Sequence, residues 1–488
     1  MKMSDLCRRE WAKHEILWTD NSHSFFHVTD YRFLGYNGGN FSIFPDGHYE
    51  AYGIYNNGWN RAPDWKIYSC MSSSSAHLFY EANFKGGYFD TKPVAASAFK
   101  GPVGGNSVVQ PSKTATSNGM NDYVGGLYTF DAKTFTSRVG ISWISNEQAC
   151  QNVNREIPAG TKFSAVVQST KDAWNTQLLS TITTGATNQT SLKLLYTSLY
   201  FMNLLPTNQT GENPGWISSE PYYSDIFTFW DTFRCSTALM HVLQPVAYEE
   251  FIRSIIDVWR YDGYLPDGRS SNYNGRTQGG SNADNVLADA YVKGVRGKIN
   301  WNDGYAAMVK DAEVTPPNDN PDAMAPDSST KEGRGALPDW LQYGFITPTY
   351  SRAASRAVEY AYNDFSLYQV AKGLGKAADA IKYLTRSRNW RNHWDPNLAS
   401  IGFKGFIQPR NTNGFLNTDP LTDGGYWADA YYQGSSWAYS WGDVFDMQKL
   451  VEWMGGADTY LSRLETMFKP GTIPGNANSI IFDATNEP

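Results

Sequence analysis

The spacing of apolar residues changes once along the chain, and the change divides it. Up to about residue 168, short aromatic and β-branched runs such as Phe41-Ser42-Ile43-Phe44, Trp65-Lys66-Ile67-Tyr68, His77-Leu78-Phe79-Tyr80 and Arg138-Val139-Gly140-Ile141-Ser142-Trp143-Ile144 alternate with Gly-, Pro- and Asn-rich turns. That pattern predicts an antiparallel β-sandwich. Residues 101–121, rich in Gly, Ser and Thr, read as a long exposed loop. From about Ser169 the apolar positions recur at helical spacing, first over 171–179 and then over 191–205. Ala354, Val358, Ala361, Phe365 and Tyr368 mark one helical face, and Gly373 and Gly375 supply its stop. The segment 315–327, dense in Pro, Asp and Asn, reads as a surface loop. The order predicted is α and β in separate domains, a sandwich followed by helix pairs consistent with an α/α toroid.

Length supports the division, because 488 residues exceed what one hydrophobic core organises. Aromatic residues make up 15% of the chain, with 17 Trp and 31 Tyr, and these combine a stacking face with a polar tip. A net charge of −7 argues against nucleic acid as a partner, since phosphate binding needs basic patches. No apolar run is long enough to cross a bilayer. Cys7, Cys70, Cys150 and Cys235 form no zinc pattern, and leave open one or two disulfides or free buried thiols. Sequons at Asn40, Asn188 and Asn208 would suit a secreted glycoprotein. The charged residues 1–13 have no apolar core, so secretion requires a signal peptide upstream, and the cytosol stays open.

Candidate chemistry concentrates in a few segments. Phe229-Trp230-Asp231-Thr232-Phe233-Arg234 sets an acceptor and a forked donor among three rings. A hexose needs that mixture: aromatic surface for its C–H faces and charged groups for its hydroxyl rim. The plainer reading is a core helix in which Asp231 and Arg234 pair with each other. The cluster around Gly279-Gly280-Ser281-Asn282-Ala283-Asp284 argues for a second pocket wall. Asp284 and Asp289, five apart, cannot share a helical face, so Asp284 alone is assigned to the site. Glu359 and Asp364 read as ordinary helix-surface charge. In Tyr431-Tyr432-Gln433-Gly434-Ser435-Ser436-Trp437-Ala438-Tyr439, an amide at Gln433 can hydrogen-bond but cannot protonate a leaving group. No Ser/His/Asp set, P-loop or dinucleotide fingerprint is present.

At these residues the chain resembles glycoside hydrolase family 92, the calcium-dependent exo-acting α-mannosidases, in their fungal branch. The motifs that carry the resemblance include Gly58-Trp59-Asn60-Arg61-Ala62-Pro63-Asp64-Trp65, the segment from Phe229 to Arg234, Gly263-Tyr264-Leu265-Pro266, Val358-Glu359-Tyr360-Ala361-Tyr362 and Asn486-Glu487-Pro488. The resemblance implies an N-terminal antiparallel β-sandwich (1–168, early strands missing), a linker helix (169–190) and a C-terminal (α/α)6-barrel-like domain (191–488, incomplete). It implies inverting hydrolysis of terminal α-mannose, of the α-1,2 type, from N-glycans or mannans. Trp230, Asp231, Arg234, Asp284 and Trp437 would bind the substrate, and Asn486 with Glu487 would help hold a calcium ion, a cation that selects hard oxygen ligands. The family places its cellular site outside the cell.

Two departures qualify the expectation. Gln433 falls where the family carries its acid Glu, 53 residues before Asn486. The family's base segment would lie beyond Pro488, so the base is expected to be absent. The reading is an α-mannosidase impaired in this chain, with a non-catalytic mannose-binding pseudoenzyme or a glycoprotein-deglycosylating amidase as the alternatives.

Overall fold

The computed structural model describes residues 13–19, 24–29, 36–55, 65–74, 86–89, 93–102, 108–118, 122–131, 136–226, 228–270, 272–275, 277–317, 332–421, 428–473 and 480–481. The chain forms two compact units, Met1–Ser224 and Asp225–Pro488.

The first unit holds two sheets, antiparallel except where Trp65–Ser74 meets Gly86–Phe89 in parallel. One orders Lys13–Thr19, Ser24–Thr29, Asp122–Thr129, Ala95–Pro102 and Val108–Val109 side by side. The other runs Thr136–Ser142, Trp65–Ser74, Gly86–Phe89, Tyr49–Tyr55, Tyr36–Ile43 and Thr114–Ser117. Phe41 and Tyr49 of the second sheet pack against Ala98 and Tyr128 of the first, with Phe130 completing the cluster. This is the sandwich that period-2 patterning predicts, since alternate side chains of each strand enter one shared core.

Two local readings change. Part of the segment taken as an exposed loop is a strand: Thr114–Ser117 pairs with Tyr36–Ile43, burying Ala115 and Ser117 while Thr114 and Thr116 face outward. Its inward residues are too small for their alternation to register as hydrophobic. Helix also begins earlier than Ser169, with Asn146–Glu156 packed on the Thr136–Ser142 strand. Ser145 starts it by accepting a bond from the backbone N–H of Gln148 at 3.1 Å, while the Gln148 side chain donates onward to Asn152. Helices Phe163–Gln177 and Gln189–Met202 follow within the same unit.

The second unit is built on helices. Pro245–Asp262 carries Pro in its first turn, where a missing N–H costs nothing, and ends at Gly263 with φ +90°. Ala283–Val292, Trp301–Glu313 and Leu337–Tyr343 lead to the long helix Ala353–Gly373. That helix packs against Ala283–Val292 and Ala377–Arg386 and is buried almost all round. Small residues such as Ala354, Ala357 and Ala361 make this close packing geometrically feasible. The expected stop is present, with Gly375 in the left-handed region at φ +73°. Most of the 315–327 segment lies outside the described residues.

Among the described residues no helix is long and apolar enough to cross a membrane. Cys150 is disulfide-bonded, and Cys235 is a free, exposed thiol.

Candidate functional site

The short helix Phe229–Thr232 sets the first wall of the site. The Trp230 indole N–H donates to Gln433 Oε1 at 2.9 Å, and its ring meets Tyr432 edge-on at 5.6 Å. A Cβ at Gly279 would lie 2.2 Å from a Trp230 ring atom, so only glycine lets that strand of chain pass. The two segments singled out in the sequence therefore meet at this indole. Trp230 is only 6% exposed and forms a floor rather than an open stacking platform.

Asp231 and Arg234 do not pair. Asp231 is exposed, and its Oδ2 accepts from the Thr228 hydroxyl at 2.7 Å. Arg234 instead donates from Nη2 to Glu359 Oε1 at 2.7 Å. Its guanidinium lies 5.1 Å from the Trp230 ring centre and 4.5 Å from that of Phe233, the distances of cation–π contact. Burial opposes its charge, but the Glu359 carboxylate more than compensates and raises its pKa.

Glu359 and Asp364, expected on a helix surface, are both buried. Asp364 holds two arginines, taking Arg334 Nη1 at 2.7 Å and the Arg386 fork at 2.6 and 2.7 Å. Burial alone would raise its pKa, yet these guanidiniums hold it below the ordinary carboxylate value. Sequence pattern cannot distinguish a buried ionic network from surface charge when both sit at helical spacing.

Asp284 belongs to the same network. It is fully buried, and its Oδ2 accepts from Ser281 Oγ at 2.6 Å and Arg334 Nη2 at 3.0 Å. Burial pushes its pKa up to about 6 against the pull of Arg334. Trp437 is likewise fully buried, within an apolar cluster that includes Phe406, and its indole N–H donates to Ser400 at 3.0 Å. Trp230, Arg234 and Gln433 thus come together, whereas Asp284 and Trp437 serve the packing of this unit.

Asp267 and Asp443 escaped the sequence reading. Both are buried, each with one oxygen lacking a hydrogen-bond partner. Burial raises both pKa values well above the usual range, with the charge of Glu359 adding to each. Asp267 directly follows the Gly263-Tyr264-Leu265-Pro266 turn, and its backbone carbonyl accepts from Phe229 N at 2.7 Å. The only available signal was its place after that turn. Gln278 completes the wall by donating to Tyr432 Oη at 3.1 Å. Gln433 itself adopts φ +49°, a backbone region rarely used by residues with a side chain.

Among the described residues, no group of three or more His, Cys, Asp or Glu side chains could hold a metal ion. Asn486 and Glu487 lie outside the described residues.

A sandwich followed by a helical unit that gathers rings, an arginine and carboxyls defines a glycosidase-like architecture. The model of the glycosyl hydrolase family 92 catalytic domain matches residues 148–488. An uncharacterized secreted glycosidase from Arthroderma benhamiae is 32% identical over 390 residues, covering 73% of this chain and 46% of the relative. In fold, the chain is similar to a family GH92 inverting mannosidase from Bacteroides thetaiotaomicron VPI-5482, with TM-score 0.75 and 22% identity over 95% of this chain and 58% of that one. An α-mannosidase of the same family from Bacteroides thetaiotaomicron, solved with mannoimidazole, gives TM-score 0.72 and 20% identity over 94% of this chain and 59% of that one. The chain belongs to glycosyl hydrolase family 92. It spans about half the length of the relatives it matches.

Proposed function

We propose that the chain acts on terminal α-mannose of glycans, with an inverting α-mannosidase site weakened at its proton donor. The observation that carries this reading is the hydrogen bond from Trp230 to Gln433, the residue that the family resemblance aligns with the acid Glu, beside the Arg234–Glu359 pair. Its neutral amide has no carboxyl proton to give a departing sugar oxygen. General acid catalysis is worth about 10² to 10⁴-fold, so that much of the rate is missing for substrates with poor leaving groups. The helical unit is read as part of an (α/α)6 barrel, with Trp230 as pocket floor, and with Asp231 and Arg234 as the exposed groups that meet sugar hydroxyls.

Asn486 and Glu487 would hold a calcium ion, since a carboxamide and a carboxylate supply the hard oxygen donors it selects. Bound there, calcium would contribute a positive charge that orients sugar hydroxyls. The Cys150 disulfide fits an oxidising compartment, and together with the secreted fungal relative it supports a secreted protein.

The test is mannose release from α-1,2-mannobiose by the wild type and by Gln433→Glu. The wild type should be slow and the variant faster by about 100-fold or more. Wild-type turnover matching an intact family member would contradict the impairment. The same Gln433 observation favours a second reading, a protein that binds mannose without turnover. Calorimetry with mannose, with and without calcium, identifies it by saccharide binding in the absence of any release.

A further inference from the structure

Three sequons of the chain play no part in the mannoside reading: Asn40-Phe41-Ser42, Asn188-Gln189-Thr190 and Asn208-Gln209-Thr210. The structure separates them by what each amide nitrogen is doing. A glycan is attached through Nδ2, so that atom must be reachable and the bulky saccharide must have open space around it. Oδ1 is untouched by the attachment and remains an acceptor.

Asn40 meets neither demand. It is half-buried in Tyr36–Ile43, a strand paired on both sides, by Tyr49–Tyr55 and by Thr114–Ser117. Its Nδ2 donates to Thr116 Oγ1 at 3.0 Å, and its Oδ1 accepts from Ser42 Oγ, its own sequon hydroxyl, at 3.0 Å. Asn208 is exposed but tied down. Its Nδ2 donates to the Tyr223 hydroxyl at 3.1 Å across a two-stranded pair, and its sequon hydroxyl, Thr210 Oγ1, accepts from Tyr222 N at 3.0 Å.

Asn188 differs in each respect. Every residue of 183–191 is exposed, and a Cβ at Gly185 would meet nothing within 4 Å. The Asn188 Oδ1 caps the helix Gln189–Met202, accepting from Thr190 N at 2.9 Å and from Ser191 N at 3.1 Å. Neither bond uses Nδ2, which makes no hydrogen bond among the described residues. Cap and glycan therefore draw on different atoms of one side chain, and attaching the sugar leaves the helix start intact.

We infer that Asn188 is the acceptor of an N-linked oligosaccharide, ahead of Asn208 and Asn40. The donor is a lipid diphosphate-linked oligosaccharide. Nδ2 bonds to its anomeric carbon, the anomeric C–O bond breaks, the lipid diphosphate leaves with the electron pair, and Nδ2 gives up one proton. The compartment this requires is the secretory one proposed above.

The test is to secrete the full chain from a eukaryotic host behind a secretion leader and to release its N-glycans with an amidase in heavy-oxygen water. Each occupied asparagine then becomes a labelled aspartate. Peptide mass spectrometry should find Asn188 labelled in most molecules, and more often than either other sequon. Asn188→Asp and Thr190→Ala both keep the capping oxygen, so each should abolish most of the amidase-sensitive gel shift without loss of the helix. An undiminished shift in these variants overturns the assignment. So does occupancy at Asn40 or Asn208 that equals that at Asn188, or an unlabelled Asn188 when another glycoprotein of the same cells is labelled. A chain labelled at Asn188 but retained in the cell contradicts secretion and supports the assignment.

Discussion

On the proposed reading a single atom separates two chemistries at Gln433, since its amide has no proton to give where a carboxyl would supply one. Nearby, Trp230 and Arg234 could be recognised in the sequence because rings beside a forked cation are uncommon and cluster for a reason. Glu359 could not, because its identity and spacing are also those of an exposed helix. The available clue was the run of small residues on several sides of it, Ala354, Ala357 and Ala361, which marks a helix packed all round. Asp311 was equally invisible: it is fully buried, and neither of its oxygens has a hydrogen-bond partner. Burial, aided by Asp284, raises its pKa well above the usual value. The folded state then retains a proton that the unfolded chain releases, so the stability it contributes is present below about pH 3.9 and is lost as pH rises. Asp311→Asn should therefore raise the melting temperature at pH 8 more than at pH 4. An equal shift at both would refute a neutral buried acid there.

At the scale of elements, close approach of backbones sets the sensitive positions. A Cβ at Gly140 would stand 1.9 Å from the carbonyl oxygen of Ala149, where the Asn146–Glu156 helix lies on its strand. Gly140→Ala should destabilise the sandwich unit by about 1–3 kcal/mol, the usual cost of overpacking, measured by denaturant unfolding. In the helical unit, Asp364 ties the Ala353–Gly373 helix to Arg334 and to Arg386 of the next helix. Asp364→Asn removes the carboxylate that two buried guanidiniums share, leaving Arg334 only Asp284 and Arg386 only Glu313, and should cost about 3–5 kcal/mol. A loss below about 1 kcal/mol would show that the pair contributes little. Element types were legible wherever the apolar period was strong, as along 353–373. They failed where the inward residues were small, as at Thr114–Ser117, since alternation of Ala and Ser with Thr carries almost no hydrophobic contrast.

At the scale of the molecule, the buried acids make stability a function of pH. Asp267, Asp284, Asp311 and Asp443 all have raised pKa values, and each loses its contribution as pH climbs above about 3.9. Asp364 is lowered, so its contribution is present above about pH 3.9 and is lost on acidification. These four acids should make the melting temperature fall as pH rises from about 4 toward 8, as scanning calorimetry would show. A maximum at alkaline pH would mean these acids are ionised in the fold.

The central claim is that one face of the helical unit, floored by Trp230 and edged by Asp231 and Arg234, receives a single α-mannosyl ring. A crystal structure with methyl α-mannoside tests it most directly. The account predicts density for the sugar above Trp230, with ring hydroxyls within hydrogen-bond distance of Asp231 and Arg234. A sugar ordered elsewhere, with the Arg234–Glu359 pair untouched, would contradict it.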